Sequence, residues 1–186
     1  MEPPRVIFVC DTQLFTDPNP AAAVGCQDRY KSTAETIATA FGAKSAFIIQ
    51  FGHTSFVLNP AVQLGQEIAD VVLRPDYLLA TPPSNKNLDG GLRAAYSLLN
   101  PHVLGLVVVM SNFVRISPEF TRNALSDMPE KAFVQLIVTG DEPNERLAEG
   151  LASHYWHSNH TDWLAADLPV SSLALASALH WYEGWR

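Results

Sequence analysis

Short, continuous apolar runs alternate along this chain with segments in which apolar residues recur every three to four positions. Continuous runs rich in β-branched residues are typical of strands covered on both faces, and the longer period is typical of helices packed on a sheet. The strands predicted in this way are 5–11, 45–51, 55–60, 103–113, 132–140 and a short one at 154–158. The predicted helices are 31–42, 61–73, 88–100, 117–128, 143–154 and 169–185.

Turn and cap residues support several of these boundaries. Gly42 ends the first helical pattern, as glycine does where a helix terminates in a left-handed residue. The sequence Gly-His-Thr at 52–54 separates two strand patterns and predicts a hairpin between them. Ser117 followed by Pro118 is typical of a helix start, with a capping hydroxyl and a proline at the first helical position.

Alternating strands and helices predict a three-layer α/β/α sandwich, Rossmann-like in architecture, with a mostly parallel central sheet. The hairpin adds one antiparallel edge strand. In folds of this class ligands bind at the carboxyl ends of the strands, near a switch in strand order. Asp11, Ser111, Asn112 and the segment 139–141 all follow predicted strands, so we expect them to share one edge of the sheet.

Length and charge limit the classes of protein to consider. The 186 residues are enough for one sizeable core, which predicts a single domain over 1–186. The net charge is −7 and the 12 basic residues form no run, which argues against direct nucleic-acid binding. No apolar run approaches the roughly 20 residues of a membrane span, and the N-terminus lacks signal-peptide order. We therefore expect a cytoplasmic or nuclear protein without a membrane partner.

Motifs for catalysis or cofactor binding do not stand out. The chain has neither G-x-G-x-x-G nor a P-loop, and Gly90 and Gly91 lie inside a helical pattern where they cannot cradle a phosphate. Ser111 lacks the G-x-S-x-G elbow, and Cys10 lies inside a buried strand, where a thiol is usually inert. The sequence thus predicts a protein that is not an enzyme, with no catalytic residue and no cofactor.

The order of elements, with an acid after the first strand, resembles the von Willebrand factor A-type (VWA) domain from Arg5 to about Trp181. Members of that family carry a metal-ion-dependent adhesion site on three loops. These loops bear Asp-x-Ser-x-Ser after the first strand, a Thr before an Asn-Leu helix start, and an Asp after the central strand. The corresponding stretches here are D-T-Q-L-F (11–15), N-K-N-L-D-G-G-L (85–92) and M-S-N-F (110–113). Flavodoxin-like and Rossmann folds share much of the element order, and the N-L-D-G-G-L helix entry favours the VWA domain.

The resemblance implies a degenerate metal site. Asp11 is kept, Gln13 and Phe15 stand at the two serine positions, Lys86 stands at the threonine, and Asn112 at the final aspartate. Mg²⁺ prefers hard oxygen ligands, and here the charges of Asp11 and Lys86 sum to zero. We predict that no metal binds and that Lys86 Nζ pairs with Asp11, with Gln13 or Asn112 oxygens as further partners. The alternative is a solvated Lys86 and an Asp11 that accepts from backbone amides.

Apolar side chains follow the strand ends where a metal-binding relative would be polar. They either fold back into the core or form an apolar patch for a protein partner. The candidates for such a patch are Leu14, Phe15, Phe113, Val114, Ile116 and, at the C-terminus, Trp185. The function that follows is a non-catalytic protein–protein interaction or scaffold domain, in a subunit or adaptor of a larger intracellular complex. The alternatives are a metal-dependent ligand-binding VWA domain and a small α/β hydrolase or nucleotide-binding enzyme.

Overall fold

The architecture is that of a six-stranded sheet with helices on both faces. The computed structural model describes residues 4–11, 34–43, 45–52, 55–63, 85–138, 144–154, 161–163, 180 and 182–184. The strands are β1 Arg5–Asp11, β2 Ser45–Phe51, β3 Ser55–Gln63, β4 Gly105–Ser111, β5 Ala132–Val138 and β6 Thr161–Trp163. The helices are α1 over 34–40, α2 Leu88–Leu98, α3 Pro118–Ser126 and α4 Glu145–His154. Within those ranges, no helix is both long and apolar enough to cross a membrane.

The strands lie in the order β3-β2-β1-β4-β5-β6. Every neighbouring pair from β2 to β6 is parallel, and β3 pairs antiparallel with β2. The chain leaves β1 towards β2 on one side and later returns to β4 on the other, so strand order reverses at β1. In open α/β sheets this switch point opens a crevice at the carboxyl ends of the strands. Asp11 is the last residue of β1 and therefore lies at that crevice.

Alternate residues of β1 are buried in two separate clusters, one on each face of the sheet. Phe8 and Cys10 belong to the cluster that contains α1 and Phe41. Ile7 and Val9 belong to the cluster that contains the buried faces of α2, α3 and α4. Fully burying a large apolar side chain contributes about 1.5–3 kcal/mol, so both layers contribute substantially to stability. The predicted three-layer sandwich with a mostly parallel sheet is confirmed.

The largest difference from the predicted boundaries is at β3 and the helix predicted to follow it. β3 continues to Gln63, so residues 61–63 are not the start of a helix; residues 64–73 of that predicted helix lie outside the described ranges. Ile48 pairs with Asn59 and Ala46 with Val62, which leaves one extra residue on β3 around Pro60. A bulge on an edge strand accommodates a proline, and the strand therefore continues past it.

Of the last strand predicted, 154–158, the first residue is helical and residues 155–158 lie outside the described ranges. His154 is the final residue of α4, and the short strand that pairs with β5 is Thr161–Trp163. Its residues pair with the carboxyl-terminal half of β5, from Leu136 to Val138. A strand of three residues has too few positions to show a period, which explains why the sequence pattern did not indicate it.

Two glycines near the start of α2 are required by close contacts, Gly91 with the sheet and Gly90 with the helix cap. A Cβ at Gly91 would lie 3.1 Å from Val9 Cγ1 and 3.5 Å from Phe51 Cβ, so the helix packs directly on β1 and β2. A Cβ at Gly90 would lie 2.5 Å from Asn87 Oδ1, the atom that accepts from Gly90 N and caps the helix. The close approach brings the residue before the cap, Lys86, over the end of β1.

Candidate functional site

Asp11 is the centre of a buried polar network at the carboxyl edge of the sheet, which we call the rim. Its Oδ2 accepts hydrogen bonds from Lys86 Nζ at 2.5 Å and from Ser111 Oγ at 2.7 Å. The Lys86 side chain is 3% exposed and that of Asp11 is 0% exposed. The predicted pairing of Lys86 with Asp11 is confirmed, and the alternative of a solvated lysine is wrong.

The loop after β4 is bonded to the same lysine. Asn112 Oδ1 accepts from Lys86 Nζ at 2.8 Å and from Val114 N at 3.1 Å. Ser111 Oγ, which donates to Asp11, accepts from Phe113 N at 2.9 Å. Lys86 thus joins the ends of β1 and β4, and its amide partner is Asn112, one of the two proposed from the sequence.

Backbone hydrogen bonds hold four segments together around this network. Lys86 N donates to Arg115 O at 2.6 Å, and Asn87 N donates to Gly52 O at 2.6 Å. Asn144 N, at the start of α4, donates to Asn112 O at 2.7 Å. The hairpin turn, the entry to α2, the loop after β4 and the entry to α4 are therefore one connected unit.

The residues present do not fit a divalent cation. The ammonium of Lys86 already contacts both Asp11 Oδ2 and Asn112 Oδ1, so the two best oxygen ligands are used. Two unit charges 4 Å apart repel by about 4 kcal/mol at an effective dielectric of 20, hence about 8 kcal/mol for a divalent ion beside this ammonium. In the described part of the chain, no group of three or more His, Cys, Asp or Glu residues could hold a metal. Gln13 and Phe15, the remaining positions of the degenerate site, lie outside the described residues.

Two of the six proposed apolar interaction candidates are buried in the core. Phe113 is 0% exposed and Ile116 is 6% exposed, and both pack in the cluster beneath α2, α3 and α4. Phe113 has a left-handed φ of 56°, and its N–H bonds back to Ser111, which turns the ring into the core. The prediction that Phe113 and Ile116 form an exposed patch is therefore wrong. Val114 is half-buried, and Leu14, Phe15 and Trp185 lie outside the described residues.

A different aromatic residue, on helix α3, is exposed. Phe120 is 58% exposed and is the one large apolar side chain that the described ranges present to solvent. Helix α3 buries Thr121, Ala124 and Leu125, which have helical spacing, and Phe120 falls outside that stripe. The exposure of Phe120 could have been predicted from the sequence, because a phenylalanine outside the apolar face of a helix does not pack against the core.

Arg115 also has a left-handed backbone, with φ of 58°, and its side chain is exposed. The left-handed region costs a non-glycine residue roughly 1–2 kcal/mol. Glycine at this position relieves that strain but adds roughly 0.5–1 kcal/mol of unfolded-state entropy. We expect Arg115→Gly to stabilise the protein by about 0.5–1 kcal/mol, or about 1–4 °C in Tm, measured by thermal unfolding. A lower Tm would contradict a strained backbone at this residue.

Cys10 precedes Asp11, and its thiol has a raised pKa. Burial is the larger cause and the neighbouring Asp11 carboxylate is the second, since each disfavours a thiolate. Because the thiolate is the reactive form, we expect Cys10 to be inert in the native protein. In a Cys26→Ser variant, where Cys10 is the remaining cysteine, iodoacetamide should react at least roughly 100-fold more slowly in buffer than in denaturant. Equal rates would show that Cys10 is accessible.

Comparisons with known proteins find relatives in structure but not in sequence. No protein-family model and no curated protein matches the chain. The protein BatB from Bacteroides thetaiotaomicron is similar with a TM-score of 0.63 and 11% identity, over 97% of this chain and 98% of that one. A von Willebrand factor type A protein from Catenulispora acidiphila has a TM-score of 0.64 and 10% identity, over 98% and 42%. Manganese-loaded TRAP protein from Plasmodium vivax has a TM-score of 0.62 and 14% identity, over 97% and 73%.

These similarities establish the fold. Identities of 10–14% are too low to carry over any activity, while TM-scores above 0.6 across nearly the whole chain define the architecture. The chain spans less than half the length of the Catenulispora protein. The resemblance inferred from the order of elements and the three loops is therefore confirmed at the level of architecture.

Proposed function

Because the chain has a VWA-like fold, we propose that it is a non-catalytic protein-interaction domain. In this proposal it serves as a scaffold or adaptor subunit of a larger assembly in the cytoplasm or nucleus. The observation that carries the proposal is the closed network at the rim. Asp11, Ser111 and Lys86 lie where an α/β fold usually places its reactive groups, and they bond to one another.

In this proposal the partner binds side chains that follow Asn112 in the chain, between Val114 and Phe120. We define the rim patch as Val114, Arg115 and Phe120, which are half-buried, exposed and exposed, respectively. Exposed aromatic and arginine side chains are enriched among residues that dominate binding energy at protein interfaces. The hydrogen bonds of Asn112 to Lys86 and Val114 fix the loop, so little ordering entropy is lost when a partner binds.

The chemistry of the patch indicates what the partner presents. The ring of Phe120 requires an apolar pocket, and the guanidinium of Arg115 is matched by a carboxylate, which it can bind in a bidentate geometry. Neither group needs a metal ion. The metal-dependent alternative requires an ion beside Lys86, which the charge balance disfavours. The hydrolase alternative requires an accessible nucleophile, whereas the Ser111 hydroxyl is buried and donates to Asp11.

Phe120→Asp tests the proposed patch. We expect this variant to lose roughly 30-fold or more in partner affinity, because a hot-spot residue contributes about 2 kcal/mol or more. Phe120 is largely exposed, so Tm should be unchanged. The measurement is tagged purification from the source cells with quantitative mass spectrometry, followed by titration of the purified partner.

Asn123→Asp is the matched control, since it adds the same charge at another exposed position of α3. It should bind like the natural protein. Recovery of the protein without a stoichiometric partner would contradict the proposed function. A partner that binds Phe120→Asp with normal affinity would be consistent with the proposed function but would contradict the proposed location of the docking site.

A further inference from the structure

The site at the rim contains a cation that the chain itself supplies. One structure with the same fold is manganese-loaded, whereas the residues in this chain do not fit a divalent ion. We infer that the Lys86 ammonium is the resident structural cation of this site. It replaces a bound ion, excludes divalent metals, and makes the arrangement of the rim loops independent of any ion in solution.

The geometry around Nζ is that of a cation between two ligands. Nζ lies 2.5 Å from the Asp11 carboxylate and 2.8 Å from the Asn112 amide oxygen. Asp11 ends β1, and Asn112 is the first residue after the neighbouring strand β4. The Lys86 side chain is 3% exposed, so it is as enclosed as a structural ion would be. A buried charge is stable only when it is paired and hydrogen-bonded, and both conditions hold here.

The ligand set is balanced for a single positive charge. One carboxylate, one neutral amide and one ammonium sum to zero, whereas a carboxylate at position 112 would leave a net charge of −1. Asn112 Oδ1 also accepts from Val114 N, which identifies the atom that faces Lys86 as the amide oxygen. Asn112 is therefore the partner that suits a lysine, as a carboxylate is the partner that suits a divalent ion.

The ammonium is held at a fixed place by its own backbone. Lys86 N donates to Arg115 O, and Lys86 forms a parallel bridge with Ile116. The backbone of Lys86 is therefore bonded to the loop after β4, the same loop whose Asn112 accepts from the ammonium. The next residue, Asn87, caps α2 and donates to Gly52 O. The fold itself therefore places the cation in the site. This inference does not depend on the proposed interaction function.

A metal titration of the full chain tests the inference. We compare the natural protein, Asp11→Asn, and the double variant Lys86→Thr with Asn112→Asp, which removes the ammonium and adds a carboxylate. Mn²⁺ binding is followed by calorimetry and by water proton relaxation, and unfolding is followed with and without a chelator. The natural protein should bind no Mn²⁺ up to about 1 mM, the weak end of protein cation sites, and its Tm should ignore the chelator.

The double variant should gain saturable Mn²⁺ binding and a Tm that rises with Mn²⁺ concentration. Saturable Mn²⁺ binding to the natural protein that is lost in Asp11→Asn would overturn the inference. A folded double variant that binds no Mn²⁺ would also overturn it, since something other than the ammonium would then exclude the ion. If the double variant does not fold, the titration of the natural protein decides the question alone.

Discussion

Replacing Lys86 with methionine should lower the free energy of unfolding by about 3–5 kcal/mol, because it leaves the buried Asp11 carboxylate without its cation. For a chain of this length the loss corresponds to a fall in Tm of about 6–20 °C. Methionine keeps a similar unbranched stem, so the change removes the charge and its two hydrogen bonds with little loss of packing. Urea unfolding followed by circular dichroism measures the effect.

The exposed ion pair of Arg93 with Asp127 provides the matched control. Its side chains are 51% and 55% exposed, and such pairs contribute about 0–1 kcal/mol. Arg93→Met should therefore be nearly neutral. Adding Asp11→Asn to Lys86→Met should recover a large part of the loss, because the unpaired charge is then removed as well. A Lys86→Met variant as stable as Arg93→Met would show that the buried pair has no structural role.

Phe113→Ala is the second substitution for which we expect a large effect, about 3–5 kcal/mol of destabilisation, as is usual for a phenylalanine removed from a core. Phe113 is 0% exposed and packs with the faces of α2, α3 and α4. Alanine retains the Cβ and hence the strain of a left-handed φ, so the difference measures the packing of the ring alone. Chemical denaturation gives the value.

Val114→Ala is the control for that substitution, since its neighbouring side chain is only half-buried, and it should cost less than about 1.5 kcal/mol. The two interpretations of Phe113 make opposite predictions. If the ring were a partner-binding residue, Phe113→Ala would reduce binding and leave stability unchanged. That result would contradict the burial described above.

The sheet and the central ion pair could be predicted because each depends on a signal that the sequence states directly. β1 and β2 are continuous apolar runs that begin and end at the predicted residues. The Asp11–Lys86 pair was predicted from two arguments together: the resemblance to the VWA domain placed Lys86 opposite Asp11, and a buried acid requires a counter-charge. Neither the apolar runs nor this pairing needs knowledge of local backbone angles.

The errors at Phe113 and at the end of β3 share a different physical cause, because each depends on a backbone conformation that residue type does not specify. Phe113 and Arg115 are left-handed although neither is a glycine, and that turn sends Phe113 inward. The bulge near Pro60 likewise extends β3 where a proline suggested a helix start. Hydrogen bonds to side chains and neighbouring strands impose these conformations, so they become visible only once the parts are assembled.

The two hydrogen bonds that Asp11 accepts also bear on the order in which the chain folds. They join residues separated by 75 and 100 positions, whereas helices α2 and α3 form from local contacts. Contacts between distant positions carry a loop-closure entropy, and β1 pairs with β4 across the same 100 positions, for example Val6 with Leu106, so we expect the network to form together with that pairing or after it. Interactions absent from the folding transition state slow unfolding without speeding folding. We therefore expect the bonds of Lys86 to lengthen the lifetime of the native state more than they speed its formation.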